Sequence, residues 1–477
     1  MTSHVRTPLV DAYVDALRRG DTPFTVPGHK RRTGSLDTDL GLVVDTDVPL
    51  FAGLDTMKLS GDLLLEAEAL AADLWGADWC RFGTGGASQA NQALMLALGR
   101  PGERIVMSRS IHRSVMSGLV LTGLDPVWLP VGIDDTTMLP LAPTPAQLDA
   151  TLTAHPEAAA VWVCEPSYLG TVADLARLAD AAHRYDVPLV VDQAWAAHFG
   201  FHPGYPPHAL AAGADAMVIS AHKALPGYSQ AAIALATTTR LSAHRLQAGF
   251  DATNTTSPAG AILASIDGSR GLLAGRGERL LGDLADLVAG ARARLVAACP
   301  GLTTPGPRDF DPGRFDPAKL VLMLAGTGAD GIDVGADLDR QGITLEMADP
   351  DTLVATVTVA DTRETVRRLT DALVESINLR RSAARPPQAH ASWTVTPQQA
   401  CTPREAFFAP STAAPADRAI GRISAELVAI YPPGVPILAP GERITPQLLD
   451  TLQRQAAAGN RIAYADDPTL ATLRVVA

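Results

Sequence analysis

Short apolar runs alternate with stretches of helical periodicity through the middle third of this chain. The apolar runs lie at 104–110, 125–131, 159–166, 187–194 and 214–223. Between the third and fourth runs, the stretch 171–186 places Val172, Leu175 and Leu178 at helical spacing. A strand, a helix and another apolar strand in succession are typical of a parallel sheet covered by helices on both faces. We therefore predict an α/β fold built on a mostly parallel sheet.

Polar side chains stand where these apolar runs end. They are Glu165, Asp192, Lys223 and the segment Ser108–His112. Ligands bind open α/β sheets at the carboxyl ends of the strands. We therefore predict a functional site at that edge of the sheet.

The composition excludes several classes of partner. The 477 residues include 39 basic and 51 acidic ones, and the formal net charge of −12 argues against a nucleic-acid-binding surface. No uncharged apolar stretch reaches the roughly 18 residues of a membrane span, and residues 1–21 predict a short amphipathic helix rather than a secretory signal. The cysteines are far apart and form no CxxC pair, which predicts a reduced, cytoplasmic protein without a metal site.

The organisation of the chain predicts four parts. A long helical stretch near 270–297 leads out of the apolar alternation, residues 318–375 contain a second set of apolar runs, and 380–403 are rich in Pro, Ala and Ser. The predicted parts are an N-terminal arm (1–40), a large domain (41–285), a small α/β domain (286–380), and a linker with a C-terminal domain (381–477).

Asp192 and Lys223 each end an apolar run, and a buried lysine is uncommon. Two interpretations are open from the residues alone. The pair is either a structural ion pair, or a site for pyridoxal 5′-phosphate (PLP), in which a lysine amine carries the cofactor and a carboxylate keeps the pyridine nitrogen protonated.

Three further features lie in the same part of the chain. A glycine-rich turn within 82–91 precedes a helical pattern, which suits phosphate binding but does not match a P-loop. His112 follows a strand, where it either stacks on a planar ring or is a structural histidine. Ser220 and His222 flank Ala221 just before Lys223 and have hydrogen-bonding groups suited to a phosphate.

Several motifs in the same order resemble the Orn/Lys/Arg decarboxylase family of fold-type-I, aspartate-aminotransferase-like PLP enzymes. The matching segments are FTVPGHKRRTG (24–34), SRSIHRSV (108–115), EPSYLGTVADL (165–175), PLVVDQAWAAHFGFHP (188–203), GADAMVISAHKALPGYSQAA (213–232), TTSPAGAILASIDGSRGLL (255–273) and AIGRISAELVAIYPPGVPILAPGERIT (419–445). The resemblance implies a PLP-binding large domain with a mostly parallel seven-stranded sheet, smaller C-terminal α/β domains, and the short form of the family without an amino-terminal wing.

The resemblance also implies roles for individual residues. Lys223 carries PLP, Asp192 pairs with the pyridine nitrogen, His112 stacks on the ring, and Lys223 or His222 returns a proton to the substrate. The other implied cofactor contacts are Gly86, Ala87, Ser88, Ala194, Trp195, Ser220 and His222, with Thr255 or Thr256 reaching the phosphate of a partner subunit in a homodimer. Glu426 and Ser167 are the implied substrate contacts, and the turn Tyr431–Pro436 lines the entrance.

The implied function is PLP-dependent decarboxylation of arginine, lysine or ornithine. Departures from the family pattern cluster where substrate would be recognised, at Gly85–Ala87, at Trp195, at Ala259–Gly260 and at Leu50. They leave two alternatives open: another reaction at Cα, such as transamination, oxidation or a lyase step, and a non-catalytic PLP-binding partner subunit.

Overall fold

A computed structural model describes residues 3–19, 47, 63–388, 390–395 and 398–477 of the chain. Two features of the resemblance, the segment 24–34 and Leu50, lie outside the described residues.

The core of the molecule is a seven-stranded sheet. Before residue 240, the described part of the chain forms nine strands: β1 (Trp79–Gly83), β2 (Arg104–Ser108), β3 (Asp125–Leu129), β4 (Gly132–Ile133), β5 (Pro140–Leu141), β6 (Val161–Cys164), β7 (Leu189–Asp192), β8 (Ala216–Ser220) and β9 (Ala232–Ala236). Strands β4 and β5 form a separate ribbon, and the others are ordered β1-β9-β8-β7-β6-β2-β3. Strand β9 runs in the direction opposite to the other six strands of this sheet, so the predicted mostly parallel sheet of seven strands is confirmed.

Helices cover both faces of this sheet. They are α1 (Pro8–Arg19), α2 (Leu63–Trp75), α3 (Gly86–Leu98), α4 (Arg113–Thr122), α5 (Pro145–Ala154), α6 (Leu175–His183), α7 (Ala221–Ala224), α8 (Ala243–Thr253) and α9 (Gly260–Ala298). Neighbouring side chains on one strand enter opposite layers: Val161 and Val163 pack in one hydrophobic cluster and Trp162 in the other. Burial on both faces explains why these strands are continuous apolar runs in the sequence.

A smaller sheet follows the long helix α9. It contains β10 (Lys319–Met323), β11 (Met347–Ala348) and β12 (Thr352–Thr356) in the order β10-β12-β11, with α10 (Gly331–Arg340) and α11 (Arg363–Leu379). The predicted domain boundary after residue 285 falls within α9, which continues without a break to Ala298.

The C-terminal part forms two small sheets of its own. Its elements are α12 (Pro403–Phe408), β13 (Ser411–Pro415), α13 (Ala416–Ala419), β14 (Val428–Tyr431), β15 (Pro436–Leu438), α14 (Pro446–Ala457), β16 (Arg461–Ala463) and β17 (Thr472–Val476). It docks on the large sheet through Arg109, which donates hydrogen bonds to Glu442 and to the carbonyl of Ile437. The indole of Trp393 adds a bond to Ser110, two residues before His112.

The N-terminal helix predicted from residues 1–21 is α1, and buried charges attach it to α9. Arg270 forms an ion pair with Asp267, and both side chains are fully buried. Asp267 accepts a hydrogen bond from the amide of Leu9 at 3.0 Å, and Arg270 donates to the carbonyls of His4 and Arg6. Among the helices that the structure describes, none is long and apolar enough to cross a membrane.

Candidate active site

The predicted polar residues meet at the carboxyl edge of the large sheet. Asp192 is the last residue of β7, and its neighbour β8 ends at Ser220, which directly precedes the short helix α7 that contains Lys223. His112 caps the amino end of α4, after β2, and accepts a hydrogen bond from the amide of Ser114 through Nδ1. Parallel neighbours end at the same edge of a sheet, so the fold brings these distant residues together.

Asp192 is a buried carboxyl held in one orientation by two donors. Asp192 is only 2% exposed to solvent. The amide of Asn91 donates to Oδ2 at 2.7 Å, and the backbone N–H of Ala194 donates to Oδ1 at 3.1 Å. Burial raises the pKa of Asp192, while the charge of Lys223 and these hydrogen bonds oppose that rise.

A hydrogen-bonded chain joins Asp192 to His112. Asn91 also donates to Ser114 Oγ at 3.1 Å, and that hydroxyl lies 2.8 Å from Nδ1 of His112. Burial lowers the pKa of His112 to about 4, and the nearby charges of Lys223 and Arg113 add to this effect. The imidazole is therefore neutral at neutral pH, a state that suits contact with an aromatic ring.

Lys223 lies against the indole of Trp195, with Nζ 4.2 Å from the ring centroid. Burial lowers the pKa of Lys223, whereas Asp192, Cys164 and Glu346 favour its charged form. A desolvated lysine is more often neutral at working pH than an exposed one, and only the neutral amine is a nucleophile.

The ends of β1 and β8 present unpartnered polar groups. Ser220 is fully buried, and among the described residues its Oγ has no hydrogen-bond partner; the same holds for Thr84 Oγ1. At the start of α3, no described residue accepts a hydrogen bond from the amides of Ala87 or Ser88. The amide of Gly86 is already used, because it donates to the carbonyl of Gln230 at 2.9 Å.

These groups fit the phosphate of PLP. Hydroxyls and free amides at a helix start are the donors that a phosphate needs, and an orphaned buried hydroxyl is costly unless a ligand satisfies it. His222 lies beside them, with Nδ1 2.9 Å from the carbonyl of Ala231. Burial lowers the pKa of His222, and the bond to Ala231 opposes that effect. The lysine and the oriented carboxyl complete the set of groups that the cofactor requires.

The remaining predicted residues are engaged elsewhere or are exposed. Both carboxylate oxygens of Glu426 accept backbone N–H groups of the C-terminal part, from Asp466 and Arg474. The hydroxyl of Ser167 lies 2.6 Å from that of Thr171. Thr255 and Thr256 are exposed in the loop between α8 and α9.

Four residues that lie beside the predicted ones were missed by sequence reasoning: Tyr168, Glu346, Lys319 and Asn91. Tyr168 packs edge-on against Trp195, with centroids 5.2 Å apart, and its hydroxyl donates to Glu346 at 2.9 Å. Lys319, the first residue of β10, places Nζ 4.0 Å from the same indole centroid. Asn91 is the fourth. Lys319 could have been recognised from the sequence, because it adjoins an apolar strand as Lys223 does. Asn91 lies within a helical pattern, and nothing in the sequence distinguishes it from its neighbours.

A second buried carboxyl lies at the end of β6. Glu165 follows that strand, and its Oε2 accepts the amide of Ala173 at 2.9 Å. Burial raises the pKa of Glu165 to about 8. Its carboxyl is therefore largely protonated at neutral pH, so this strand end carries little negative charge.

The strand order, with one antiparallel member, and the lysine and carboxyl at the carboxyl edge define an aspartate-aminotransferase-like protein of the PLP-dependent class. Comparison with known families is more specific. The model of the Orn/Lys/Arg decarboxylase major domain matches residues 7–365, and that of the family's C-terminal domain matches 387–462. The chain belongs to the Orn/Lys/Arg decarboxylase family, as its motifs predicted.

Individual relatives extend over the whole chain. The chain is 32% identical to a protein named arginine decarboxylase from Halalkalibacterium halodurans, over 100% of this chain and 99% of that one. It is 31% identical to an arginine decarboxylase of Bacillus subtilis, with the same coverage. Among solved structures, a lysine decarboxylase from Francisella novicida superposes with a TM-score of 0.83 at 19% identity, covering 99% of this chain and 81% of that one. This last similarity shows the shared fold.

Proposed function

We propose that this protein is a PLP-dependent decarboxylase of a basic amino acid and that arginine is its substrate. The carrying observation is the buried, oriented carboxyl of Asp192 one strand away from the partly buried Lys223. Family membership supports decarboxylation. The full-length relatives named arginine decarboxylase favour arginine over lysine and ornithine.

The cofactor would be held by residues of four strand ends. Lys223 would carry it covalently, Asp192 would accept a hydrogen bond from its ring nitrogen, and His112 would lie on its face with Ala194 and Trp195 beside it. Ser220, His222, and the amides of Ala87 and Ser88 would hold the phosphate, next to Gly86. When bound, PLP supplies an electron sink for the bond that breaks at Cα.

The protein's own groups then perform two tasks. Asp192 keeps negative charge at a fixed position, oriented by Asn91 before reaction, so that no reorganisation is needed during the chemical step. Lys223 or His222 returns the proton to Cα after the carboxylate has left, because both are partly buried bases beside the site and can alternate between protonation states.

Glu426 and Ser167 remain the proposed contacts of the substrate's distal group. A guanidinium needs a carboxylate acceptor in a matching geometry. Glu426 would serve only if one of its oxygens exchanged a backbone N–H for the substrate, because both oxygens already accept such bonds.

We also place the active site in a cytoplasmic homodimer. Thr255 and Thr256 are exposed in the single chain, which leaves them available to reach a partner subunit. An interface at this loop would complete the phosphate site from the second copy.

One experiment decides between the proposed reaction and its alternatives. Purified protein is loaded with PLP, and the release of CO₂ is measured with arginine, lysine and ornithine. We expect CO₂ release to be fastest with arginine, together with the corresponding amine. The Lys223→Ala variant is expected to lose both turnover and the visible absorption band of the lysine-linked cofactor.

Other results would redirect the assignment. Formation of a keto acid or peroxide without CO₂ would establish a different Cα reaction, and bound PLP without turnover would indicate a non-catalytic subunit. A visible band retained in Lys223→Ala would contradict the role of Lys223.

A further inference from the structure

Lysine is rare in this chain. Of 39 basic residues, only four are lysines and the rest are arginines. Two of the four, Lys223 and Lys319, lie in the part that the structure describes. Where a chain uses arginine for nearly every positive charge, a lysine indicates a position at which the compact, readily deprotonated ammonium is needed.

Both described lysines contact one indole. Nζ of Lys319 lies 4.0 Å from the centroid of Trp195 and 5.1 Å from that of Tyr168, and Nζ of Lys223 lies 4.2 Å from the Trp195 centroid. Lys319 begins β10 of the smaller sheet, whereas the two rings belong to loops after β6 and β7. The smaller sheet thus contributes one cation to the edge of the large sheet where the active site lies.

Lys319 has no ion-pair partner among the described residues, although it is only 6% exposed. The nearby carboxylates are engaged: Asp316 Oδ1 is 3.1 Å from His198 Nε2, and Glu346 Oε1 accepts the Tyr168 hydroxyl. Two aromatic faces compensate only part of the cost of a buried ammonium. Burial correspondingly lowers the pKa of Lys319 to about 8, while Asp316 and Glu346 oppose this and Lys223 adds to it.

We propose that Lys319 is the cation that receives the α-carboxylate of the substrate. The inference rests on the proposed function, because an amino acid that reaches the cofactor at Lys223 brings its carboxylate close to Lys223. Lys319 contacts the same indole and therefore lies close to that carboxylate as well. The distal cation of a basic amino acid would be repelled by Lys319, so only the carboxylate end of the substrate suits this position.

The choice of lysine has a physical reason. A bidentate arginine would bind the carboxylate strongly in the ground state, and binding that is lost as CO₂ departs raises the barrier. A single ammonium between two rings orients the carboxylate with a point charge and holds it less firmly.

The test compares two ligands that differ only in the carboxylate. PLP-loaded wild type and Lys319→Met are mixed rapidly with arginine or with agmatine, the amine that decarboxylation of arginine forms, and binding is followed by the change in the visible cofactor band before turnover. We expect Lys319→Met to bind arginine about 10- to 100-fold more weakly and agmatine within about twofold of wild type. Lys319→Arg should bind arginine at least as tightly as wild type and release CO₂ more slowly.

Arg454→Met is the matched control, because it removes one exposed positive charge from α14. It should leave both affinities unchanged. Equal weakening of arginine and agmatine in Lys319→Met, or no change in either, would overturn the proposal. If Lys319→Met fails to fold with its cofactor band intact, Lys319→Gln is titrated in its place and judged by the same two outcomes.

The proposed function fails separately. A wild type that binds arginine through Lys319 but releases no CO₂ would refute decarboxylation and leave the carboxylate site standing.

Discussion

Asn91 donates a hydrogen bond to Oδ2 of Asp192 at 2.7 Å and links that carboxyl, through Ser114, to His112. The amide side chain stands one turn into α3, the helix whose first turn presents free N–H groups. One helix therefore positions both ends of the predicted cofactor site: its start for the phosphate and its Asn91 for the carboxyl that faces the ring nitrogen.

Replacing Asn91 by Ala is expected to weaken cofactor binding about tenfold. Without this donor the pKa of Asp192 rises further, and the carboxyl loses both charge and orientation. The measurement is a titration of apo-protein with PLP, followed by the visible band. Gln92→Ala, the next residue of α3, is the matched control, and equal affinities of the two variants would contradict the role of Asn91.

Replacing Ser220 by Ala is expected to reduce affinity for PLP without reducing stability of the apo-protein. The Oγ atom has no hydrogen-bond partner among the described residues, so its loss breaks no bond to any of them and removes a buried hydroxyl that they leave unsatisfied. The affinity for pyridoxal, which has no phosphate, should not change. Equal losses for PLP and pyridoxal would show that Ser220 does not act on the phosphate.

The raised pKa of Glu165 predicts how the free energy of unfolding varies with pH. Its pKa is about 8 in the folded chain and near 4.5 when unfolded, so between these values the folded state binds more protons and stability falls as pH rises. Glu165→Gln keeps the acceptor for Ala173 and removes this ionisation. The variant should match wild type near pH 4.5 and be more stable by on the order of 3 kcal/mol at pH 8.

Chemical denaturation of the apo-protein across this pH range measures the difference. Glu375→Gln, at an exposed position on α11, is the control and should keep the wild-type slope. Parallel pH profiles for wild type and Glu165→Gln would refute the raised pKa.

Replacements of Arg109 and Glu442 are expected to have non-additive effects on the free energy of unfolding, because the two side chains form a buried ion pair. Their side chains are 5% and 2% exposed and 3.1 Å apart, and they join the C-terminal part to the large sheet. Arg109→Met leaves a buried carboxylate unpaired and should cost about 3–5 kcal/mol of unfolding free energy. Adding Glu442→Gln removes that charge and should recover about 1–3 kcal/mol. A double variant no more stable than Arg109→Met would show that the two charges do not interact.

Much of the fold could be predicted from the sequence because the strands are local features. The apolar runs at 159–166, 187–194 and 214–223 became β6, β7 and β8, since a strand buried on both faces must be apolar throughout. The polar residues that follow these runs predict a site at the carboxyl edge of the sheet, and the family resemblance added the number of strands.

The sequence by itself thus determined that Asp192 would end one strand and that Lys223 would follow another, and it determined the family to which the chain belongs. Only the tertiary structure decided their neighbours: Asn91 beneath Asp192, and Lys319 across Trp195 from a different sheet. Asn91 is separated from Asp192 by 101 positions in the sequence, and Lys319 is separated from Trp195 by even more. Periodicity reports the face on which a residue lies, whereas contacts across such distances are set by how helices and sheets pack.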